Sequence, residues 1–128
     1  MIKEIRIRNF AVIENLEVSI GKGLSVLTGE TGAGKSIIID AISLLLGGRA
    51  DTDSIRSGEN NAFVDAVFEI TDPVTRDLIL ESGVEMDDNE LLIKRQVSNT
   101  GKNRCLINNS SVTVSTLAKI GDRLVDLH

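Results

Sequence analysis

Eight consecutive residues carry the strongest chemical signal in this chain: Gly29-Glu30-Thr31-Gly32-Ala33-Gly34-Lys35-Ser36. They fit the phosphate-binding pattern G-x-x-x-x-G-K-[ST] at every required position. The residue types explain why. Gly29, Gly32 and Gly34 permit backbone conformations that other residues resist, and none carries a side chain that would block a phosphate. Such a turn aims successive N–H groups inward as an anion nest, at the positive end of the helix that follows. Lys35 would reach the β- and γ-phosphates of a nucleotide, and the Ser36 hydroxyl would ligate Mg²⁺. The bland alternative is a glycine-rich turn that merely caps a core helix, and the flanking residues argue against it.

Leu24-Ser25-Val26-Leu27 reads as a buried strand leading into the loop. Residues 37–46 are apolar nearly all round, as a core helix should be, and Gly47-Gly48 stops them. Strand, glycine loop and helix in that order are the setting the motif requires.

The remaining elements are arranged around this unit. Residues 2–10 place Ile5 and Ile7 on one face and Glu4, Arg6 and Arg8 on the other. Residues 12–20 repeat the alternation through Leu16, Val18 and Ile20, so the two segments form an antiparallel pair. Gly21-Lys22-Gly23 turns the chain into the strand before the loop. After the helix, residues 49–61 read as a polar loop of about a dozen residues, a length at which loops are often functional. A strand is expected at 62–70, with Val64, Ala66, Phe68 and Ile70 on one face. Asp72 then caps a short helix with Pro73 in its first turn and Gly83 at its end. Residues 85–90 form an acidic, solvated turn. Residues 91–97 and 104–107 form a hairpin through 98–102, and Asn108-Asn109 makes a second turn. Thr113 or Ser115 caps a short helix that carries Leu117 and Ile120 and stops at Gly121. Leu124-Val125-Asp126-Leu127 begins a strand. Antiparallel strands on both sides of one strand–loop–helix unit are unlike the strict alternation of a doubly wound kinase.

A hydrolase built on such a loop also needs an acid at the end of an apolar strand and a group that positions water. Asp65 falls mid-strand, where alternation turns it to solvent. Asp126 follows only Leu124-Val125, and Asp40 lies on the helix of the motif itself. Neither Asp-x-x-Gly nor Asn-Lys-x-Asp occurs, which argues against a complete GTPase. The chain is therefore expected to bind nucleotide without turning it over alone, and no catalytic set is complete in it. Cys105 reads as a small packed residue and His128 as an isolated imidazole, so neither supports nucleophilic or metal chemistry. Arg6 and Arg8 read as a solvated strand face, from which they could also touch nucleotide or DNA phosphate, while Arg49 and Arg56 are the better candidates for a phosphate contact.

Composition agrees. The 128 residues suffice for one core, and 41% hydrophobic with 26% charged residues is ordinary for a globular protein. Three Phe and no Trp or Tyr leave Ile, Leu and Val to fill the interior. A single Cys and the absence of a signal-peptide pattern fit a reducing cytoplasm, and no segment suits a membrane. The net charge of −5 gives no general support for nucleic-acid binding.

Longer matches then point to a family. Ile5-Arg6-Ile7-Arg8-Asn9-Phe10, with Val12-Ile13 and Leu16-Glu17-Val18, resembles the opening of SMC-like ABC ATPases. Residues 24–37, together with Asp40-Ala41 and Leu45-Leu46-Gly47, resemble the RecN family of bacterial DNA repair proteins within that group. Ala50-Asp51, Ile55-Arg56-Ser57-Gly58, Asn103-Arg104, Ile107-Asn108 and residues 124–128 extend the match along the whole chain. Asn109 stands where the family has Gly, and Asn tolerates the same left-handed turn.

The resemblance implies an α/β fold of the ABC/SMC-head P-loop type. This chain would be its N-terminal lobe, with antiparallel strands flanking the strand–P-loop–helix core. It implies ATP and Mg²⁺ as ligands, held by Gly29 to Ser36, with Ser36 on the metal. The family chain continues into a glutamine-bearing loop, a coiled coil and a C-terminal lobe with the signature motif. An N-terminal piece of such a protein is therefore expected. Its partners would be that C-terminal lobe and a second head in a homodimer, with DNA bound by the full-length protein rather than by this piece, and no membrane. The activity implied is ATP-driven recombinational repair of DNA double-strand breaks, cytoplasmic and nucleoid-associated. A small P-loop kinase or nucleotidase, and an assembly lobe that binds nothing, are the alternatives. Because the central strands of such a head come from both termini, the resemblance also implies that this lobe exposes a hydrophobic edge and self-associates.

Overall fold

Residues 2–19, 32–49, 51–86 and 88–126 are described in the computed structural model of the chain, with the backbone alone at 32–36 and 125–126. The expected strand at 24–27, its preceding turn, Gly29, Glu30, Thr31 and His128 lie outside them.

Period-two alternation builds β1 (Ile2–Phe10), β2 (Ile13–Ser19), β3 (Asn61–Glu69), β4 (Glu90–Ser98), β5 (Asn103–Ile107) and the short β6 (Ser110–Ser111). They form one sheet in the order β2-β1-β3-β4-β5-β6, and every pairing is antiparallel. Register aligns like with like. Val18, Ile5, Ala66, Ile93 and Ile107 lie side by side across five strands on the inward face. The next row, Glu17, Arg6, Asp65, Lys94 and Leu106, faces outward. A one-residue slip would exchange those two rows, which is why the pattern specifies the register.

Three helices share the core with the inward face: α1 (Gly32–Leu45), α2 (Pro73–Glu81) and α3 (Val114–Asp126). They bury Ile38, Ala41, Leu44 and Leu45, then Ile79, then Leu117, Ile120 and Leu124 against Ile5, Ile7, Val64, Phe68, Leu91 and Ile93. Each Ile, Leu, Val or Phe among them contributes about 1.5–3 kcal/mol on leaving water, and Ala41 less.

The ends of α1 and α2 follow their sequence signals. Gly48 N–H donates to the Ser43 carbonyl (3.0 Å) and Gly47 N–H to that of Leu44 (3.2 Å), with Gly47 at φ +102°. These are the paired bonds of a Schellman ending, in which glycine avoids the left-handed penalty. Asp72 caps α2 by accepting from the Thr75 N–H at 3.0 Å, and Pro73 opens the helix. Asn108 and Asn109 turn β5 into β6 with φ of +48° and +69°, the conformation expected of a pair replacing Asn-Gly.

Two expectations need correction. Residues 124–126 are not a strand, and Gly121 does not end a helix: α3 runs from Val114 through Gly121 to Asp126. Thr113 caps it by accepting from the Thr116 N–H at 3.1 Å. The buried set Leu117, Ile120 and Leu124 has helical spacing, and Gly121 serves a close approach to α1 rather than a stop. The polar segment after α1 is a loop, as expected, and it is tied down. It contains a 3₁₀ turn, Thr52–Ser54, and is stitched to the β1–β2 corner by Ala11 N–H to the Ser54 carbonyl (2.6 Å) and Arg56 N–H to that of Asn9 (2.8 Å).

Candidate nucleotide site

The last five residues of the motif belong to α1. The helix begins at Gly32, inside the loop pattern, so the backbone of Gly32, Ala33, Gly34, Lys35 and Ser36 is already helical. The first N–H groups of a helix have no acceptor four residues earlier, and they sit at its positive end. An anion at Gly32 would meet those donors, and Gly32 and Gly34 have no Cβ to obstruct it.

What holds that turn in place is the rest of α1. Its inward side is buried among the sheet residues, while Ile39 on the other side is 54% exposed. Its C-terminal end is gripped twice. From α3, Gly121 packs so closely that a Cβ there would lie 2.1 Å from the Leu46 carbonyl oxygen, and a Cβ on Gly47 would lie 2.6 Å from Ala118 Cα. From β4, Arg95 donates through Nη1 to the carbonyls of Leu44 (2.7 Å) and Gly48 (2.8 Å).

Arg95 is the residue that motif reasoning passes over. It is only 3% exposed and sits in the inward phase of β4 with Leu91, Ile93 and Val97. A cation on the apolar side of a strand is rare unless paired, and that phase is the signal that could have found it.

The candidate acids do not converge. Asp65 lies on the outward face of the sheet, away from α1, with its carboxylate 3.4 Å from Arg6. Asp40 is exposed on α1, beside a shallow pocket that Ser43, Arg49 and Ser54 also line. Asp126 ends α3. Among the described residues no three His, Cys, Asp or Glu side chains gather as a metal site.

The arginines separate likewise. Arg8 lies over the Phe63 ring with its guanidinium carbon 4.6 Å from the centroid, a cation–π contact. With Arg6, Lys94 and Arg104 it lines an open groove of about 450 Å³, where Glu17 and Asp65 are interleaved between the cations. This is the larger hollow, yet it is on the opposite face of the sheet from α1 and the charges across it offset one another. Arg49 is exposed just past the C-terminal end of α1, and Arg56 is half-buried beyond the 3₁₀ turn. Cys105 is buried opposite Arg95, and burial pushes its thiol up from the ordinary value, against the pull of the Arg95 charge. That makes it a packed residue, not a nucleophile. No helix among the described residues is long and apolar enough to cross a membrane.

Comparison with known proteins bears on this geometry. A family model described as an AAA domain matches residues 4–126. The chain is similar over its whole length to the DNA repair protein RecN of Bacillus subtilis (strain 168), at 47% identity over 130 aligned positions. The RecN of Halalkalibacterium halodurans is 48% identical over 129. The chain covers 22% and 23% of those two proteins, so it spans less than a quarter of the curated relatives it matches. Among solved structures, an SMC ATPase described in terms of ATP-driven dimerization and DNA-stimulated activation superposes with a TM-score of 0.72 at 24% identity, covering 93% of this chain and 76% of that one. That likeness shows the fold: an α/β lobe of the SMC-head type, with antiparallel strands beside the motif helix.

Proposed function

Because the chain belongs to the AAA domain family, we propose that it is the ATP-binding lobe of a RecN-like ATPase acting in recombinational repair of DNA double-strand breaks. One observation carries the reading: a complete phosphate-loop pattern runs without a break into the first turn of α1. Similarity to RecN along the entire chain supports the same assignment.

Gly29, Glu30, Thr31, Gly32, Ala33 and Gly34 wrap the phosphates, with N–H groups of Thr31 to Gly34 as donors. Lys35 supplies a positive charge to the terminal phosphates, and Ser36 offers its hydroxyl to Mg²⁺. The metal, when bound, neutralises charge on the phosphate oxygens. The helix start at Gly32 and the missing Cβ atoms at Gly32 and Gly34 suit a phosphate group.

Hydrolysis needs an acid and a water-positioning group that Asp40 and Asp65 do not provide, so those groups come from a C-terminal lobe and from a second head in a homodimer. DNA is engaged by the full-length, cytoplasmic and nucleoid-associated protein; this lobe, with its net charge of −5, does not bind DNA by itself. The antiparallel sheet disfavours the kinase alternative.

Calorimetric titration with Mg-ATP tests the reading. The chain is expected to bind, and Lys35→Ala to bind at least about tenfold more weakly, which is about 1.4 kcal/mol. Equal heats from the two proteins would sink it.

A further inference from the structure

A buried cation is costly unless something offsets its charge. Arg95, at 3% exposure, forms no ion pair with any described carboxylate. Its compensation is two carbonyl oxygens, Leu44 at 2.7 Å and Gly48 at 2.8 Å, where α1 ends. That is the negative end of the helix, where a cation is favoured by the macrodipole as well as by the hydrogen bonds. Its Nε is buried with no partner among the described residues. If packing alone mattered, an apolar chain of similar volume would fill this position at no loss. Arginine there does something an apolar chain cannot: it ties the end of one element to the middle of another.

The tied element carries the phosphate loop. From Leu44 back to Lys35 is about 14 Å along a stiff rod at about 1.5 Å per residue. A shift or tilt at the clamped end is transmitted to the first turn. Ligand geometry is sensitive to displacements of well under about 1 Å.

We propose that Arg95 is a positioning residue for the phosphate loop: by holding the Leu44 and Gly48 carbonyls to β4 it sets the axial position and tilt of α1, and so the aim of the N–H groups in its first turn. This rests on the nucleotide-binding reading above. It assigns the loop a support far from it, in a strand whose other inward residues only fill the core.

The test compares the wild-type chain with Arg95→Met, Arg95→Lys, Lys35→Ala and Ile79→Ala. Arg95→Met fills the space without the clamp, Arg95→Lys restores the charge with poorer geometry, and Ile79→Ala loosens the core from α2. Two readouts are taken where each protein is folded by circular dichroism: Mg-ATP affinity by calorimetry, and amide hydrogen exchange at residues 37–41 without nucleotide. Arg95→Met is expected to weaken Mg-ATP binding about tenfold and to speed exchange in α1 by a similar factor, with Arg95→Lys in between. Ile79→Ala is expected to lower the melting temperature while leaving affinity and α1 exchange near wild type. Folded Arg95→Met with wild-type affinity and exchange would overturn the proposal, as would Ile79→Ala reproducing its losses. If Arg95→Met does not fold, wild-type behaviour of Arg95→Lys in both readouts overturns it equally. Absent heats from wild type and Lys35→Ala alike would sink the nucleotide reading instead, and the exchange comparison would still decide whether Arg95 holds α1.

Discussion

Arg123 on α3 reaches Asp72 at the start of α2, its Nη2 3.0 Å from Asp72 Oδ2, while its Nε donates to the Thr75 hydroxyl at 3.1 Å. The same Asp72 oxygen accepts from the Thr75 hydroxyl (2.7 Å) and the Thr75 N–H (3.0 Å). One carboxylate oxygen thus caps one helix and binds another to it.

These donors hold the Asp72 pKa below its ordinary 3.8, first through the Thr75 hydroxyl, then Arg123, then the Thr75 N–H. A carboxylate whose folded value lies below its unfolded one stabilises the fold fully above the unfolded pKa, and that contribution fades as pH falls through the lowered value. Asp72→Asn keeps an oxygen for the cap but removes the charge. Wild type should therefore melt at a higher temperature than Asp72→Asn near pH 6, and the gap should begin to narrow only as the pH is taken below 3.8, towards the lowered value. A gap constant across that range would show that the charge contributes nothing.

Gly121→Ala places two known effects in opposition. Alanine in a helix interior gains about 1 kcal/mol over glycine. Here, though, the new Cβ would lie 2.1 Å from the Leu46 carbonyl oxygen, a backbone atom that cannot swing aside. Overpacking of this kind costs about 1–3 kcal/mol, and a backbone obstacle belongs at the upper end. Urea denaturation should show net destabilisation of about 1–2 kcal/mol. A stabilised variant would mean that α1 and α3 are not in this contact.

The expected self-association has, besides a sheet edge, an apolar face available on the outer side of α1. Ile39 is 54% exposed there, and half-buried Ile42 and Leu46 border a hollow of about 430 Å³ between α1 and α3. Contiguous apolar surface of this sort draws partners together. Sedimentation equilibrium should give a mass that rises with concentration, and Ile39→Lys should lower it toward the monomer. A clean wild-type monomer at high concentration would contradict the expectation.

Much of this architecture was legible because alternation is a strong local signal. Ile5 and Ile7 in β1, Val64, Ala66 and Phe68 in β3, and Leu91 and Ile93 in β4 all point inward as their spacing requires. Asp72, Pro73 and Gly83 mark α2 by mechanisms that act within a few residues. What misled was long-range. Gly121 has the composition of a stop, and only the approach of α1 explains it as a contact. Leu124-Val125-Asp126 has the β-rich look of a strand, and only the shared face with Leu117 and Ile120 makes it helix. Arg95 could be placed on the inward face from its phase, but its acceptors are carbonyls of another element about fifty residues earlier in the chain. At the candidate site, the motif named the residues proposed to meet phosphate, while the support of α1 comes from tertiary packing that no short pattern encodes.

The strand order has a consequence for how the molecule is assembled. β4 and β5 meet across a short turn and β1 and β2 across a shorter one, so both hairpins can close early. The β1–β3 seam is different, because β2 and α1 lie between its two strands in the chain. Closing so long a loop costs entropy before any pairing offsets it, and such non-local steps are slow. The phosphate loop lies within that closed segment. Among the described strand pairs this is the longest closure, so the residues proposed to hold nucleotide are expected to be set in place only after both hairpins have formed.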